Sequence, residues 1–431
     1  MNAVFLSRLY FEAAAFFNFL FVPLALGLSI LIAITETVYV KSRDEDYKKI
    51  AKFWGTLFLI NFVISSLGIA IECCLVTNWP NYSMSVKEIF GPSCAAKFTV
   101  VFFLESILLG IWVFGWKEIP RKLHVGCIWL AAMVLSACSY WILFSNSFLQ
   151  QHIGYTIQKG PEELAVFVPG VTKTFASLIF FHTLSGAYVL AAVFVMGISA
   201  YHLLKRQQID LFKKSYRIAL PFTLVFLLFG IIQGCMVGSE VAETQPAKLA
   251  SMASHWETTE HAPMILLSIP DEKNERNRVE IARIPGALSL FAYHEKSAVV
   301  VGLRDFPREQ RPWVLKNALA FRLMGGLGMI IALVLMVMWL RKNKLEQSPR
   351  LLKIIFYAIP LPYLAIEAGW MLTETGRQPW IIYSLMKTSK VVFPTPDSKV
   401  LLSLILVLLA NLGLGIADFY FLRNFARKGP G

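Results

Sequence analysis

Long apolar segments recur along the whole chain, and short polar segments rich in lysine and arginine separate them. A helix needs about 20 apolar residues to cross the hydrocarbon core of a bilayer. Nine segments reach this length, at residues 11–36, 53–76, 96–115, 123–145, 174–203, 217–237, 317–340, 353–371 and 399–421. The pattern predicts an all-α, polytopic membrane protein with nine transmembrane helices.

Composition supports this class and excludes a soluble domain. The chain has 431 residues, of which 56% are hydrophobic and 16% charged, and its mean hydropathy is +0.58. This balance is typical of polytopic membrane proteins. The first apolar segment begins too late and runs too long for a cleaved signal peptide. We find no internal repeat, and we predict a single membrane domain over residues 1–431.

The distribution of positive charge predicts the orientation. Basic residues follow the first, third, fifth, seventh and ninth spans, and basic-poor segments alternate with them, except for the long segment 238–316, to which the rule does not apply. They are Lys41, Arg43, Lys48, Lys49, Lys117, Arg121, Lys122, Lys205, Arg206, Lys213, Lys214, Arg341, Lys342, Lys344, Arg350, Arg423, Arg427 and Lys428. By the positive-inside rule the N-terminus is outside, the C-terminus is inside, and the long segment 238–316 is outside. The net charge of +13 indicates contact with the lipid bilayer and no nucleic acid partner.

The six cysteines do not predict a metal or disulfide framework. No CxxC pair is present, and most of the cysteines lie in predicted spans, where they resemble small apolar residues. They are Cys73, Cys74, Cys94, Cys127, Cys138 and Cys235.

His182 is the only one of the seven histidines that lies well inside a predicted span. It precedes the basic residue Lys205 by 23 positions, and Met324 precedes Arg341 by 17. At 1.5 Å per residue, these two lie about 35 Å and about 26 Å from the inner face. A histidine and a methionine at comparable depth can clamp one haem iron, and Arg322 could neutralise a haem propionate. A histidine that only packs between helices stays an alternative.

Several motifs, in order along the chain, resemble subunit I of the cytochrome bd-type quinol oxidases. The stretch FFNFLFVPLALGLSILIAITETVYV at 16–40 is similar to the family's first span, and GRQPW at 376–380, preceded by EAGW at 367–370, is the most specific match. FWGTLFLINF, TNW, FFLES, WIL and AFRLM match as well. The resemblance runs from LSRLYFE at 6–12 to the C-terminal RNFARKGPG. It implies nine spans and a multi-pass protein of the prokaryotic cytoplasmic membrane.

The resemblance also implies roles for individual residues. His182 and Met324 match the axial ligands of a low-spin haem b that takes electrons from membrane quinol. Glu374 resembles the ligand of a second, high-spin haem b. Glu105 resembles a carboxylate on the proton path to the oxygen site.

Other matches concern the haem propionates and the quinol. Arg8, Arg322 and Arg377 match family arginines that lie near the haems. Segment 238–316 resembles a shortened quinol-binding loop. It retains Lys248 and the WET triplet that contains Trp256 and Glu257. A family member also needs a second integral-membrane subunit, either subunit II-like or a paralogous subunit I.

Four positions depart from the family pattern. Asn18 stands where the family has the histidine ligand of the oxygen-site haem, and an amide is a poor iron ligand compared with imidazole. Lys97 replaces a second glutamate of the same site. Ala253 replaces a glutamate of the quinol loop, and Cys138 replaces a serine near the proton path.

Three explanations of Asn18 and Lys97 are open. Lys97 could ligate the oxygen-site haem, d or b, as a neutral amine. That haem could be absent, with Lys97 filling part of its space. Loss of a ligand together with reversal of a nearby charge is expected when a cofactor is no longer needed. The haem could also be bound weakly or be five-coordinate. A Lys97 side chain that only extends to the outer surface would leave its position uninformative.

We therefore expect a haem-binding subunit I-like chain that carries electrons from quinol toward oxygen reduction. The alternative is a non-catalytic paralogue that pairs with a complete subunit I and has lost the oxygen-site haem. A transporter with charged residues in its spans is disfavoured, because the two halves contain no matching pair of helices broken by glycine or proline.

Overall fold

The structure is a computed structural model that describes residues 3–75, 93–151, 174–384, 386–388 and 396–430. Within these ranges only the backbone is described for residues 3, 4, 8, 11, 73–75, 93–101, 174, 346 and 347. Two sites of the sequence analysis, Arg8 and Lys97, therefore have side chains outside the described part. The same holds for Cys73, Cys74 and Cys94.

Long helices form most of the described chain. They are α1 (Ala3–Ser42), α2 (Glu45–Leu75), α3 (Ser93–Phe114), α4 (Arg121–Gln150), α5 (Thr174–Leu204) and α6 (Ile209–Thr244). After α7 (Pro246–Ala253) come strands β1 (Met264–Asp271) and β2 (Arg276–Ile284), then helix α8 (Ala287–Tyr293). The last elements are α9 (Val314–Leu340), α10 (Pro349–Tyr357), α11 (Pro360–Gly376), β3 (Trp380–Ile382), β4 (Met386–Lys387) and α12 (Asp397–Lys428).

Eight of the nine predicted spans correspond to helices long and apolar enough to cross a membrane. The prediction at 96–115 corresponds to α3, whose described apolar part is Phe102–Phe114. The span predicted at 353–371 consists of two helices, α10 and α11. The proline that begins α11 explains the break, because proline has no N–H to continue the preceding helix. The mostly helical, polytopic fold is thus confirmed.

The segment between α6 and α9 is more ordered than the loop that we predicted. Helix α6 continues to Thr244, well beyond the predicted end at residue 237. β1 and β2 then pair as an antiparallel hairpin, from Met264 opposite Ile284 to Asp271 opposite Arg276. A second two-stranded sheet joins β3 to β4, so the fold contains a little β-structure that the apolar pattern did not predict. We call residues 245–313 the connecting segment.

Helix α1 lies at the centre of the bundle. It packs against α2, α4, α5, α11 and α12, which suits a helix that is apolar on every side. The loops with the predicted basic residues meet at one end of the bundle, which we call the basic end. There the His202 ring contacts the carbonyl oxygen of Ala426 at 2.7 Å, and the Lys214 ammonium bonds to Asp44 and Asp46.

Small residues set the distance between α1 and α5. A Cβ atom on Gly27 would lie 2.5 Å from the carbonyl oxygen of Ala187, and it would overlap the methyl group of Ala191. Small residues at helix contacts allow this close approach in membranes. By contrast, Gly110 on α3 has open space around it among the described atoms.

We predict that Gly27→Ala destabilises the protein, because the backbone of α5 must move to admit the methyl group. Overpacking of this kind costs about 1–3 kcal/mol. The thermal unfolding midpoint of the purified protein in detergent should therefore fall. Gly110→Ala is the matched control, and its midpoint should stay constant or rise. Equal midpoints for the two variants would contradict the close packing.

Candidate functional site

A cavity of about 420 Å³ lies between α1, α2, α4, α5 and α11, toward the end of the bundle opposite the basic end. This volume is within the range of small-molecule and cofactor sites. Its wall is mostly apolar, and the polar side chains in it come from widely separated parts of the chain. Among them are Asn18, Glu72, Asn146, Glu374 and Arg377.

Glu374 and Arg377 form a buried ion pair at the last turn of α11. The guanidinium Nη2 donates to Glu374 Oε2 at 2.6 Å, and Asn146 Nδ2 donates to the other carboxylate oxygen at 2.7 Å. Arg377 is only 4% exposed, yet its Nε and Nη1 atoms have no hydrogen-bond partner. Buried N–H donors without partners are costly, so these two groups are suited to an anionic acceptor.

Lys248 lies against this ion pair and is not on the surface. Its ammonium donates to Gln150 Oε1 at 2.9 Å, and its alkyl chain packs on Gly376, where a Cβ atom would lie 2.8 Å from Lys248 Cε. Burial, together with the positive charge of Arg377, lowers the pKa of Lys248 to about 7 despite the opposing charge of Glu374. Below about pH 7 the Lys248 amine is protonated, so two cations, Lys248 and Arg377, then lie beside one carboxylate, Glu374.

Asn18 lies on the α1 side of the cavity and is tied to a carboxylate. Its Nδ2 donates to Glu72 Oε2 at 2.8 Å, and Asn411 Nδ2 of α12 donates to Glu72 Oε1 at 3.1 Å. The amide oxygens of both asparagines are buried without a partner. The resemblance implies a histidine ligand at this position, but the Asn18 amide nitrogen is used in a hydrogen bond to Glu72 of α2.

His182 on α5 has the hydrogen bonding of a metal-binding histidine. Its Nδ1 lies 2.9 Å from the carbonyl oxygen of Gly230, and since a carbonyl only accepts, Nδ1 carries the proton. The lone pair of Nε2 is therefore available, which is the usual arrangement when a histidine binds a metal. Gly234 packs on the ring, and a Cβ atom there would lie 2.9 Å from His182 Cε1.

Met324 lies on α9 at the same end of the bundle as His182. It packs against a core cluster that contains Phe180 of α5. A Cβ atom on Gly369 of α11 would lie 3.0 Å from Met324 Sδ. Among the described atoms, none lies within 4 Å of a Cβ atom built on three glycines that follow Met324, namely Gly325, Gly326 and Gly328.

Arg322 connects α9 to the connecting segment. Its guanidinium donates to four backbone carbonyl oxygens, at distances of 2.9–3.3 Å, and its Nε is buried without a partner. The acceptors are Met252, Ala253, Ile265 and Ala318. The position expected to face a propionate thus has one donor left for such a ligand.

The three residues that resemble quinol-loop residues do not form one surface. Lys248 is buried beside Gly376, as described. Trp256 is 7% exposed and donates from Nε1 to Asn277 Oδ1 at 2.9 Å. Glu257 is exposed and pairs with Arg304 at 2.5 Å, so Glu257 alone of the three presents a polar group to the outside.

Glu105 lies on α3 and is 5% exposed. It is close enough to Cys138 on α4 for their charges to interact, but it is not among the residues that line the cavity. In the part of the chain that the structure describes, no group of three or more His, Cys, Asp or Glu side chains could hold a metal ion. An iron site here would therefore use few protein ligands.

The sequence analysis missed four polar residues around the cavity. They are Glu72, Asn146, Gln150 and Asn411. Their sequence signal was an amide or carboxylate inside an apolar segment. Because such a group must find a partner within the membrane, that signal could have identified them.

Comparison with known proteins agrees with this arrangement. The family model described as "Cytochrome bd terminal oxidase subunit I" matches residues 6–430. The chain is 37% identical to cytochrome bd ubiquinol oxidase subunit 1 of Bacillus subtilis (strain 168), over 100% of this chain and 94% of that protein. It is 31% identical to cytochrome bd-II ubiquinol oxidase subunit 1 of Escherichia coli (strain K12), over 99% and 96% of the two chains.

A solved structure shares the fold. A chain of the bd oxidase from Geobacillus thermodenitrificans superposes with a TM-score of 0.89 at 29% identity, covering 100% of this chain and 99% of that one. With its apolar helices, the protein is a multi-pass protein of the prokaryotic cytoplasmic membrane. The family model, the relatives and the fold together show that the chain belongs to the cytochrome bd terminal oxidase subunit I family.

Proposed function

We propose that this chain is the haem-binding subunit of a quinol-oxidising complex and carries electrons from membrane quinol toward oxygen reduction. One observation carries the proposal. The cavity brings Asn18, Asn146, Glu374 and Arg377 together from three helices, the last two residues coming from the end of α11. Asn18, Asn146 and Arg377 keep buried polar atoms without partners, and those of Arg377 are donors. A site of this kind is suited to a large, mostly apolar ligand with anionic groups.

His182 and Met324 would hold a low-spin haem b. The Gly230 carbonyl fixes the proton on Nδ1 and so directs Nε2 toward a metal. A methionine as second ligand favours the reduced state of the iron and raises its potential. A haem bound in this way supplies reversible one-electron transfer.

Glu374 would ligate a second, high-spin haem b in the cavity, with the free donors of Arg377 facing a propionate. The Asn146 amide and the Arg377 guanidinium hold the Glu374 carboxylate in place. The side chain of Arg8 lies outside the described residues, and its assignment near a haem stays a prediction.

An aromatic pair, Phe19 and Trp370, lines the cavity on the side of α11. Trp370 follows Gly369, which packs against Met324 Sδ, and it also lines the cavity. Its indole ring stacks on Phe19 with 3.9 Å between ring centroids, and Phe19 is the neighbour of Asn18. Phe19, Trp370 and Met324 all pack against the same core cluster.

The non-catalytic alternative is favoured by the contacts of Asn18. The Asn18 amide nitrogen and Asn411 both bind Glu72, so the α1 side of the cavity offers an amide oxygen and no imidazole. In this alternative the oxygen-site haem, d or b, is absent, and the chain pairs with a complete subunit I. Lys97, which would bear on the same question, has no described side chain.

We place quinol on the connecting segment, with Glu257 accepting a hydrogen bond from its hydroxyl group. Trp256 would support that site from within the segment, and Lys248 would act at its buried side, next to Glu374. We orient the protein with its basic end inside the cell and its N-terminus outside, as the positive-inside rule predicts for nine spans. A second integral-membrane subunit would cover part of the apolar helix surface, and Glu105 would carry protons from the inside.

We predict that His182→Ala abolishes the low-spin haem signal, because no other side chain replaces the Nε2 ligand. The reduced-minus-oxidised spectrum of the purified protein with its natural partner should lose its low-spin α-band. His202→Ala, near the other end of the same helix, is the control and should keep the band. An unchanged α-band in His182→Ala would show that this assignment is wrong.

For the first helix, we predict that Asn18→His increases the haem content per chain and the response of the spectrum to carbon monoxide. The cavity is present beside Asn18, and imidazole binds iron better than an amide does. Haem extraction and carbon monoxide difference spectra would measure both. Asn18→Ala removes the amide without adding a ligand, and it should give no increase. If Asn18→His behaves like Asn18→Ala, the pocket does not admit a haem.

For the quinol site, we predict that Glu257→Gln raises KM for quinol about fivefold, since loss of one charge-assisted hydrogen bond at an exposed position costs about 1 kcal/mol. Steady-state oxidation of a soluble quinol by the complex would measure KM and kcat. Glu309→Gln, another exposed carboxylate of the connecting segment, should leave KM unchanged. An equal effect of both changes would argue against a specific contact.

A further inference from the structure

A second, smaller cavity lies at the basic end of the bundle, far from the site described above. Its volume is about 170 Å³, and it is enclosed by α6 and by the 3₁₀ segment that connects α9 to α10. Unlike the first cavity, it has a mostly polar wall. Four cationic side chains line it, namely Lys213, Arg217, Lys342 and Lys344.

Like charges that share so small a space repel one another, and an anion among them would offset this repulsion. None of Arg217, Lys342 and Lys344 has a carboxylate within ion-pair distance among the side chains that the structure describes. Two acidic residues of the same end, Asp44 and Asp46, both bind Lys214. Lys342 also contacts Trp339, with its ammonium 3.7 Å from the ring centroid.

Tyr216 provides an independent observation. It is 2% exposed and lines the cavity, and its hydroxyl group has no hydrogen-bond partner. An unpaired buried hydroxyl costs free energy, and this one can donate to an acceptor inside the cavity. The cations and the hydroxyl thus come together around the same space and require the same kind of ligand, an anion with several acceptor oxygens.

We propose that this cavity binds a phosphate group. The ligand is either the headgroup of an anionic phospholipid or free inorganic phosphate, since both present the same oxygens. Arg217 and the lysines would neutralise its charge, and Tyr216 would donate to a phosphate oxygen. The position suits a headgroup, because basic pockets between transmembrane helices on the basic side attract anionic lipids. Bound there, the phosphate would join α6 to the α9–α10 connection.

The test uses the purified complex, stripped of lipid in a neutral detergent. The thermal unfolding midpoint is measured with inorganic phosphate against chloride at equal ionic strength, and in nanodiscs of phosphatidylglycerol against phosphatidylcholine. Native mass spectrometry counts retained phospholipids. The variants are Tyr216→Phe and the double change Arg217→Gln with Lys344→Gln. Arg350→Gln is the control, because it removes an exposed cation of the same end that does not line the cavity.

We expect phosphatidylglycerol to raise the midpoint of the unmodified complex and of the control. The double variant should need roughly tenfold more anionic ligand for the same rise, since charge-assisted hydrogen bonds are lost. Tyr216→Phe should show a smaller loss in the same direction. A rise with phosphatidylglycerol alone identifies a lipid headgroup, and a rise with inorganic phosphate as well identifies a general phosphate site. Equal responses of the double variant and the control, or no response to either anion, would overturn the proposal.

Discussion

The bundle depends on one constraint, that a polar side chain inside the membrane needs a hydrogen-bond partner, which several carboxylates find on another helix. Water is absent from the hydrocarbon core, so an unpaired polar group there is expensive. Glu36 of α1 meets this demand by accepting a hydrogen bond from Trp112 Nε1 at 2.7 Å and by a hydrogen bond with His124 Nδ1 at 2.5 Å. Glu72 meets it through Asn18 and Asn411. These bonds join α1 to α3 and α4, and α2 to α1 and α12, and they fix which helices are neighbours.

The same constraint separates what the sequence could predict from what it could not. The spans follow from apolar length alone, and Glu374 and Arg377 are only three residues apart in the sequence. Their contact could therefore be predicted from the end of one helix, without knowledge of how the helices pack. Asn146 is 228 residues from Glu374, and no local pattern indicates that pairing. Lys248 was predicted in an outer loop but lies buried against Gly376, because a lysine in a short helix gives no sign of what later packs over it.

Two further outcomes have physical causes of their own. The connecting segment contains a hairpin whose strands face outward with many exposed residues, so alternation of apolar and polar positions was too weak to predict it. At Asn18 the sequence indicated a lost ligand, but the direction of the amide was set by Glu72, a residue 54 positions away. The residue type at position 18 therefore indicated which ligand is missing, while the direction of its side chain depended on a hydrogen bond between α1 and α2.

The cavities at the two ends of the bundle differ in size and in the polarity of their walls. At one end, a carboxylate, an arginine and amides surround a large apolar cavity. At the other, cations surround a small polar one. Charge and size thus divide the molecule into a face suited to a bulky, mostly apolar group and a face suited to a compact anion.

Arg322 has a mechanical consequence. Its guanidinium holds carbonyl groups of α7 and β1 from a point two residues before Met324 on the same helix turn. A hydrogen bond tolerates only a few tenths of an ångström of stretching before it weakens steeply. The connecting segment therefore cannot swing away as an independent flap. A displacement of the segment would either break several of these hydrogen bonds at once or move the turn of α9 that carries Met324. Movement of the connecting segment at the surface would therefore strain the helix bundle.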